Sequence, residues 1–210
     1  RQVDELILLD ISATNNNKKI DLELVNEVSN ECFMPLTFGG GITNIEDISS
    51  LLKAGADKVC INTAATKDLK FIENACKIFG SQSIVVSVDY KIIKNKINIF
   101  SNSGEVNTNL KLEDYLIQLE EKGVGEIILT SIDRDGTMIG YDINTINLAS
   151  KILKIPLIAS GGAGDFENML ELVKQTNVSA LAAASIYHFT VKTPLDVKKF
   201  LNNNNIPVRL

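Results

Sequence analysis

Histidine is nearly missing from this sequence: His188 is the only one in 210 residues. Cysteine is scarce as well. Cys32, Cys60 and Cys76 are odd in number and lack the close spacing of metal ligands, so zinc centres and histidine-based triads have almost no raw material. The thiols read as reduced and packed, and neither a metal nor a cofactor is expected. No apolar run approaches the roughly 20 residues that cross a bilayer, and no charged-then-apolar leader is seen, so neither a membrane span nor a secretory signal is expected. Lys and Arg form no dense run in a chain of net charge −5 and pI near 5.0. That argues against nucleic acid or an anionic membrane as the main partner, while leaving room for a small anionic ligand held locally. The expectation is a soluble, cytoplasmic protein.

What the sequence does have is apolar material in a regular pattern. At 45% hydrophobic, it can bury one full core, and a single domain over residues 1–210 is expected. Runs rich in Ile, Val and Leu alternate with longer amphipathic stretches, the signature of βα units around a parallel sheet buried on both faces. Strands are predicted at 5–11, 34–38, 58–61, 83–89, 126–131, 156–160 and 180–185. Helices are predicted at 21–31, 45–54, 69–79, 112–122, 143–153, 166–175 and 194–201. The polar, strand-like stretch 91–109 reads as a hairpin inserted after the strand that ends at Asp89.

Two glycine-ended strands reveal the architecture. "PLTFGGGITN" starts at Pro35 and "PLIASGGAGD" at Pro156, 121 positions later. The same offset lays "DELILLDI" on "GEIILTSI", so that Glu5 matches Glu126, Asp10 matches Ser131, and Gly40 and Gly41 match Gly161 and Gly162. One further residue of slip lays Thr63 on Ser185. A repeat of this length is half of a (β/α)8 TIM barrel. Two halves need eight strands and seven can be placed. The strand matching 83–89 would precede Arg1, so roughly forty residues of an ordinary barrel of about 250, the first βα unit, are expected to be missing from this sequence.

In such barrels the working groups sit at the carboxyl ends of the strands. Glycine there lets a ligand approach bare amides, and a helix N-terminus favours negative charge, which together suit phosphate. A lone glycine run is equally consistent with a tight strand-to-helix turn; the symmetric pair favours phosphate. Two cradles are predicted, one of Gly40, Gly41, Asn62 and Thr63, the other of Asp135, Gly136, Gly161, Gly162, Ala184 and Ser185. A substrate with a phosphate at each end would span the barrel mouth. Gly41 and Gly162 are expected to tolerate a larger residue without loss of the fold.

Between the cradles Asp89 ends its strand. A carboxylate at the rim of an apolar barrel suits proton transfer, the alternative being an aspartate that only caps a loop. Asp10 also lies near the rim, and Asp133 and Asp135 are expected to order their loop, bind substrate amides and cap the next element. At the opposite end Glu5, Lys58 and Glu126 each open a strand of one alternating set. They could form an ion-pair ring in the barrel floor, or merely mark where strands meet solvent. Asp57 is a candidate partner contact beside Lys58, and Thr37, Cys60, Thr130 and Ser131 are candidate polar walls above the ring.

With "GGGITN", "VCINTAA", "SVDYK", "TSIDRDGTMIGYD", "IASGGAG" and "AASIYHF" in this order, the sequence resembles the cyclase subunit of imidazole glycerol phosphate synthase over essentially its whole length. The resemblance implies a barrel that takes ammonia from a glutaminase (glutamine amidotransferase) subunit docked at its bottom face. It implies the joining of that ammonia to a bis-phosphorylated aminoimidazole-carboxamide ribonucleotide, giving imidazole glycerol phosphate and the carboxamide ribotide. It assigns the phosphates to the two cradles and the ammonia gate to Glu5, Lys58 and Glu126. Of the family's two acid–base aspartates it matches one to Asp89. The other, on the first strand, and the fourth gate residue, an arginine, have no counterpart here. The sister isomerase shares the repeat but typically has Gly where this chain has Asn62. A paralogous barrel that serves acetamidino modification of surface sugars, and a non-catalytic barrel fragment, are the other readings.

Overall fold

The computed structural model describes residues 2–11, 13 and 20–209. In chain order the elements are β1 (Leu6–Leu9), α1 (Leu22–Glu31), β2 (Leu36–Gly39), α2 (Ile45–Lys53), β3 (Lys58–Ile61), α3 (Thr63–Lys67) and α4 (Leu69–Phe79). There follow β4 (Ile84–Ile93), β5 (Lys96–Ser101), β6 (Val106–Asn107), α5 (Leu112–Glu121), β7 (Glu126–Ser131), α6 (Ile143–Ile152) and β8 (Leu157–Ser160). The last are α7 (Phe166–Gln175), β9 (Ala180–Leu181), α8 (Ser185–Phe189) and α9 (Pro194–Asn203). Seven strands pair in parallel in the order β1-β2-β3-β4-β7-β8-β9, curled with helices between them, and β5 and β6 hang antiparallel off β4. This is the (β/α)8 barrel fold with seven of its parallel strands among the described residues; β1 and β9 are the sheet's two edges.

Period-two strands divide the core into two parts. Outward-facing Val59, Val86, Val88, Ile127, Leu129 and Leu157 pack under the helices in one large cluster, whereas inward-facing Cys60, Val85, Ile128 and Ile158 form a second, smaller one. The helices are held by their apolar faces and by caps. Ile72, Ala75 and Cys76 of α4 share a buried stripe, and Asp68 accepts from the amide of Lys70 at its start.

The repeat is visible bond by bond. The amide of Leu6 donates to Pro35 O at 2.9 Å, and that of Ile127 to Pro156 O at 3.0 Å. Asn44 caps α2 through the amide of Asp47 as Asp165 caps α7 through that of Asn168. Gly40 lies so close to Asp10 that a Cβ would come within 2.3 Å of its carbonyl oxygen, and Gly161 lies the same way against Ser131, at 2.6 Å. Both glycines have positive φ. Glycine is required at these two positions on both counts.

Several boundaries differ from the sequence reading: β1 spans Leu6–Leu9 and not 5–11, β2 spans Leu36–Gly39 and not 34–38, and three further differences lie at the cavity. β4 does not end at Asp89 but runs on to Ile93 as the first arm of the hairpin, which turns at Lys94 and Asn95, both with positive φ. The run 180–185 pairs as a strand only at Ala180–Leu181, against β8, and Ser185 instead begins α8. The short helix α3 likewise starts at Thr63, directly after β3 and Asn62.

Candidate active site

A cavity of about 1550 Å³ occupies the middle of the curled sheet. Its wall contains Gly40, Gly41, Asn62 and Thr63, together with Asp135, Gly136, Gly161, Gly162, Ala184 and Ser185, and Asp89 between them. All these residues follow or end parallel strands, so the two predicted cradles open on the same mouth. In the strand order β4 lies between them, the first cradle following β2 and β3 and the second following β7, β8 and β9. Asp10 lines the same wall.

In the first cradle Asn62 donates through Nδ2 to Ser87 O at 3.0 Å. The Thr63 hydroxyl donates to Asn62 Oδ1 at 3.3 Å and accepts the amide of Asn102 at 3.0 Å. The hairpin therefore leans onto this cradle: Ser103 and Gly104 line the cavity, Lys91 Nζ donates to Gly104 O at 3.0 Å, and Ser103 Oγ donates to Ile11 O at 2.9 Å. In the second cradle Gly162 is not free to change. Its φ is +103°, and a Cβ there would come within 2.2 Å of Gly140 O, so the expectation that a larger residue spares the fold at this position is wrong. Gly136 also has positive φ, but a Cβ there meets nothing within 4 Å. Among the described residues the strands thus bring all ten cradle residues to one cavity.

Asp89 is partly buried and its Oδ1 accepts the Ser87 hydroxyl at 2.7 Å. Burial raises its pKa above the usual carboxylate value and the charge of Asp135 adds to this, while the Ser87 hydrogen bond works in the opposite sense. Beside it the Cys60 thiol is pushed up to about 12, by burial first and then by Asp89, so it stays neutral. Asp133 does order its loop, accepting the amide of Ile92 at 2.9 Å. The next helix, however, is capped by Asp142, not by Asp133 or Asp135. Asp142 also takes the Tyr90 hydroxyl at 3.0 Å, with both side chains buried.

At the amino-terminal end of the strands Lys58 Nζ lies 2.8 Å from Glu5 Oε2 and 2.6 Å from Glu126 Oε1. Burial disfavours the charge on Lys58, but the hydrogen bonds and attraction of Glu126 and Glu5 outweigh it and hold its pKa above the ordinary lysine value. Glu5 and Glu126 line the floor of the cavity, with an apolar layer of Ile7, Cys60, Ile128, Ile158 and Ala182 above them. Of the expected polar walls, Cys60 and Thr130 face the cavity. Ser131 does not: one residue out of phase, it turns outward to the Tyr90 hydroxyl. Asp57 is exposed and serves the chain itself, its carboxylate taking the amide of Leu36 at 2.8 Å and its own amide donating to Leu36 O at 2.9 Å.

A second ion pair near the floor, Lys198 to Asp4 at 2.8 Å, ties α9 to the start of β1. Neither residue was expected from the sequence, since nothing in local pattern links positions 194 apart. Ser87 was also missed, although it stands two residues before Asp89 on a strand, the spacing that puts both on one face.

The family model described as histidine biosynthesis protein matches residues 1–192. Among curated relatives, imidazole glycerol phosphate synthase subunit HisF of Hydrogenobaculum sp. is 45% identical over 211 residues, covering 100% of this chain and 84% of that protein. The subunits of the same name from Dictyoglomus thermophilum and Bacillus cereus are 46% and 44% identical over 208 residues, each covering 99% of this chain and 82% of theirs. On the barrel, its twofold repeat and these likenesses together, the chain belongs to the histidine biosynthesis protein family, with the HisF subunits of imidazole glycerol phosphate synthase.

Proposed function

We propose that this protein is the ammonia-using cyclase of histidine biosynthesis, converting a bis-phosphorylated aminoimidazole-carboxamide ribonucleotide into imidazole glycerol phosphate and the carboxamide ribotide in the cytoplasm. The observation that carries this reading is the placement of two like-built glycine cradles on one mouth with Asp89 between them. Amides near Gly41, Asn62, Gly136 and Ala184 would hold the two phosphates, as backbone nests hold anions. Asp89, made a weaker acid by burial, would exchange a proton with the reacting part of the substrate.

The Glu5–Lys58–Glu126 cluster supports an entry from below. Ammonia is small and is lost to solvent unless guided, and a charged cluster in the cavity floor can open by exchanging partners. A glutaminase subunit docked at this end, near the exposed Asp57, would supply it. An eighth parallel βα unit would fit between the edges β1 and β9, which line the same cavity along with apolar Met169, Val173, Val197 and Leu201. It would carry the second acid–base carboxylate.

The test is product formation from the bis-phosphorylated substrate with ammonium salt as nitrogen source, in protein completed by such a unit. Release of imidazole glycerol phosphate supports the reading. Binding without turnover favours a non-catalytic barrel, and failure to bind the nucleotide favours a barrel for another substrate.

A further inference from the structure

The Ser87 hydroxyl is buried at the cavity wall, and among the described residues its one hydrogen-bond partner is the carboxylate of Asp89 at 2.7 Å. We propose that Ser87 is a positioning residue that holds Asp89 Oδ1 and so presents the other oxygen, Oδ2, to the substrate; this rests on the reading of Asp89 as the proton-transfer group. The geometry favours it in three ways. Alternation along β4 puts both side chains on the inner face, so the contact needs no distortion of the strand. Among the described residues the Ser87 bond is the only hydrogen bond to the Asp89 carboxylate, which leaves Oδ2 open to the cavity. The backbone of Ser87 is itself pinned, its carbonyl accepting Asn62 Nδ2 at 3.0 Å, so the hydroxyl is delivered from a fixed point that also belongs to the first cradle.

The hydroxyl can do more than orient. A donor to a carboxylate favours the charged form, opposing the burial that favours the protonated one. The other charged or titratable groups facing this pair are Cys60 from β3, Lys91 further along β4, Asp135 from the loop after β7, and Asp10 beyond β1. Cys60 stays neutral, and Lys91 is engaged with Gly104 O and the Phe100 ring. Removing the hydroxyl therefore takes away the bond that most directly offsets burial. Oδ1 then turns without restraint, and the proton is held more tightly.

The experiment is a carbon NMR titration of protein labelled at its aspartate carboxyls, with the Asp89 signal identified by its loss in Asp89→Asn. In Ser87→Ala the Asp89 midpoint moves to higher pH, and in Ser87→Thr, which keeps the hydroxyl, it stays at the wild-type value. In ammonium-dependent turnover the alanine variant loses about tenfold in kcat with KM little changed, as expected for a misdirected group. The limb of its pH profile governed by Asp89 shifts upward with the NMR midpoint. An unmoved midpoint and unmoved limb in Ser87→Ala, with turnover still abolished in Asp89→Asn, overturn the role of Ser87 alone. Turnover that survives Asp89→Asn overturns the reading of Asp89, and the positioning role falls with it.

Discussion

Asn62 and Ala184 hold the same place in the two halves of the barrel. The Asn62 carbonyl accepts the amides of Ala65 and Thr66 at 3.0 and 3.2 Å, and the Ala184 carbonyl accepts those of Tyr187 and His188 at 2.9 and 3.1 Å. Each thereby starts a five-residue helix at the cavity wall. The difference lies in the side chain, since only Asn62 reaches across to Ser87 O. The two cradles share a backbone and differ in how they are tied to the centre.

The glycines of the second cradle separate structure from binding. Gly162→Ala is expected to destabilise the fold by roughly 2 kcal/mol or more, because it adds both a clash with Gly140 O and a strained φ. The Cβ of Gly136→Val meets no protein atom within 4 Å, and the variant is expected to cost about 1–2 kcal/mol in stability for its positive φ. It should nevertheless weaken binding of the bis-phosphorylated substrate about tenfold, corresponding to about 1.4 kcal/mol. Thermal melts and calorimetric titration of the two variants check this. Unchanged affinity in Gly136→Val would remove that loop from the phosphate site.

Lys58→Ala leaves Glu5 and Glu126 facing one another without compensation. Glu126 is the less exposed of the two, and the loss is expected to be about 1–3 kcal/mol, between the values for exposed and buried pairs. Because the folded pKa of Lys58 is raised, the stability it contributes is fully present below its unfolded value of 10.5 and is lost only as pH rises through the folded one. Melts across neutral pH should therefore show a constant deficit in the variant. With a glutaminase partner present, glutamine-dependent turnover should fall about tenfold further than ammonium-dependent turnover. Equal losses would speak against a gate.

Much of this was legible in the sequence, for reasons that are local or periodic. The near-continuous apolar strands and the offset of 121 residues between "PLTFGGG" and "PLIASGG" gave the barrel and its halves. Glu5, Lys58 and Glu126 could be grouped because each opens a strand, and a shared strand position in a barrel means a shared layer. What could not be read depends on registers and edges. β4 continues past Asp89 because β5 folds back onto it, a pairing set by the turn at Lys94 and Asn95. The direction of Ser131 follows from the phase of β7, fixed only once Glu126 is known to point inward. The Lys198–Asp4 pair joins the two ends of the chain, where no pattern reaches.

Tyr90→Phe is expected to destabilise the protein by about 1–2 kcal/mol, a fall in Tm of roughly 2–8 °C, since it removes the hydroxyl paired with the buried Asp142 carboxylate. Tyr90 faces the helices and not the cavity, so turnover and KM should not change. A loss of turnover comparable to that of the catalytic variants would contradict the division of β4 into an inner functional face and an outer structural one.

Asp89→Asn carries a stability signature that follows from the sign of its pKa shift. A carboxyl whose pKa is raised on folding is favoured when protonated, so its ionisation costs stability as pH rises from the unfolded pKa through the folded one. The asparagine variant should accordingly melt higher than wild type at pH 7 and at the same temperature well below pH 3.8. A variant that is less stable at neutral pH would show that the ionised carboxylate holds the structure together.

The most direct test of the whole account is the turnover of Asp89→Asn measured beside its affinity for the bis-phosphorylated substrate. The substitution keeps shape and removes the titrating group. We expect kcat with ammonium to fall by about 10²-fold or more while the substrate dissociation constant stays within a few-fold of wild type. Turnover close to wild type would contradict it.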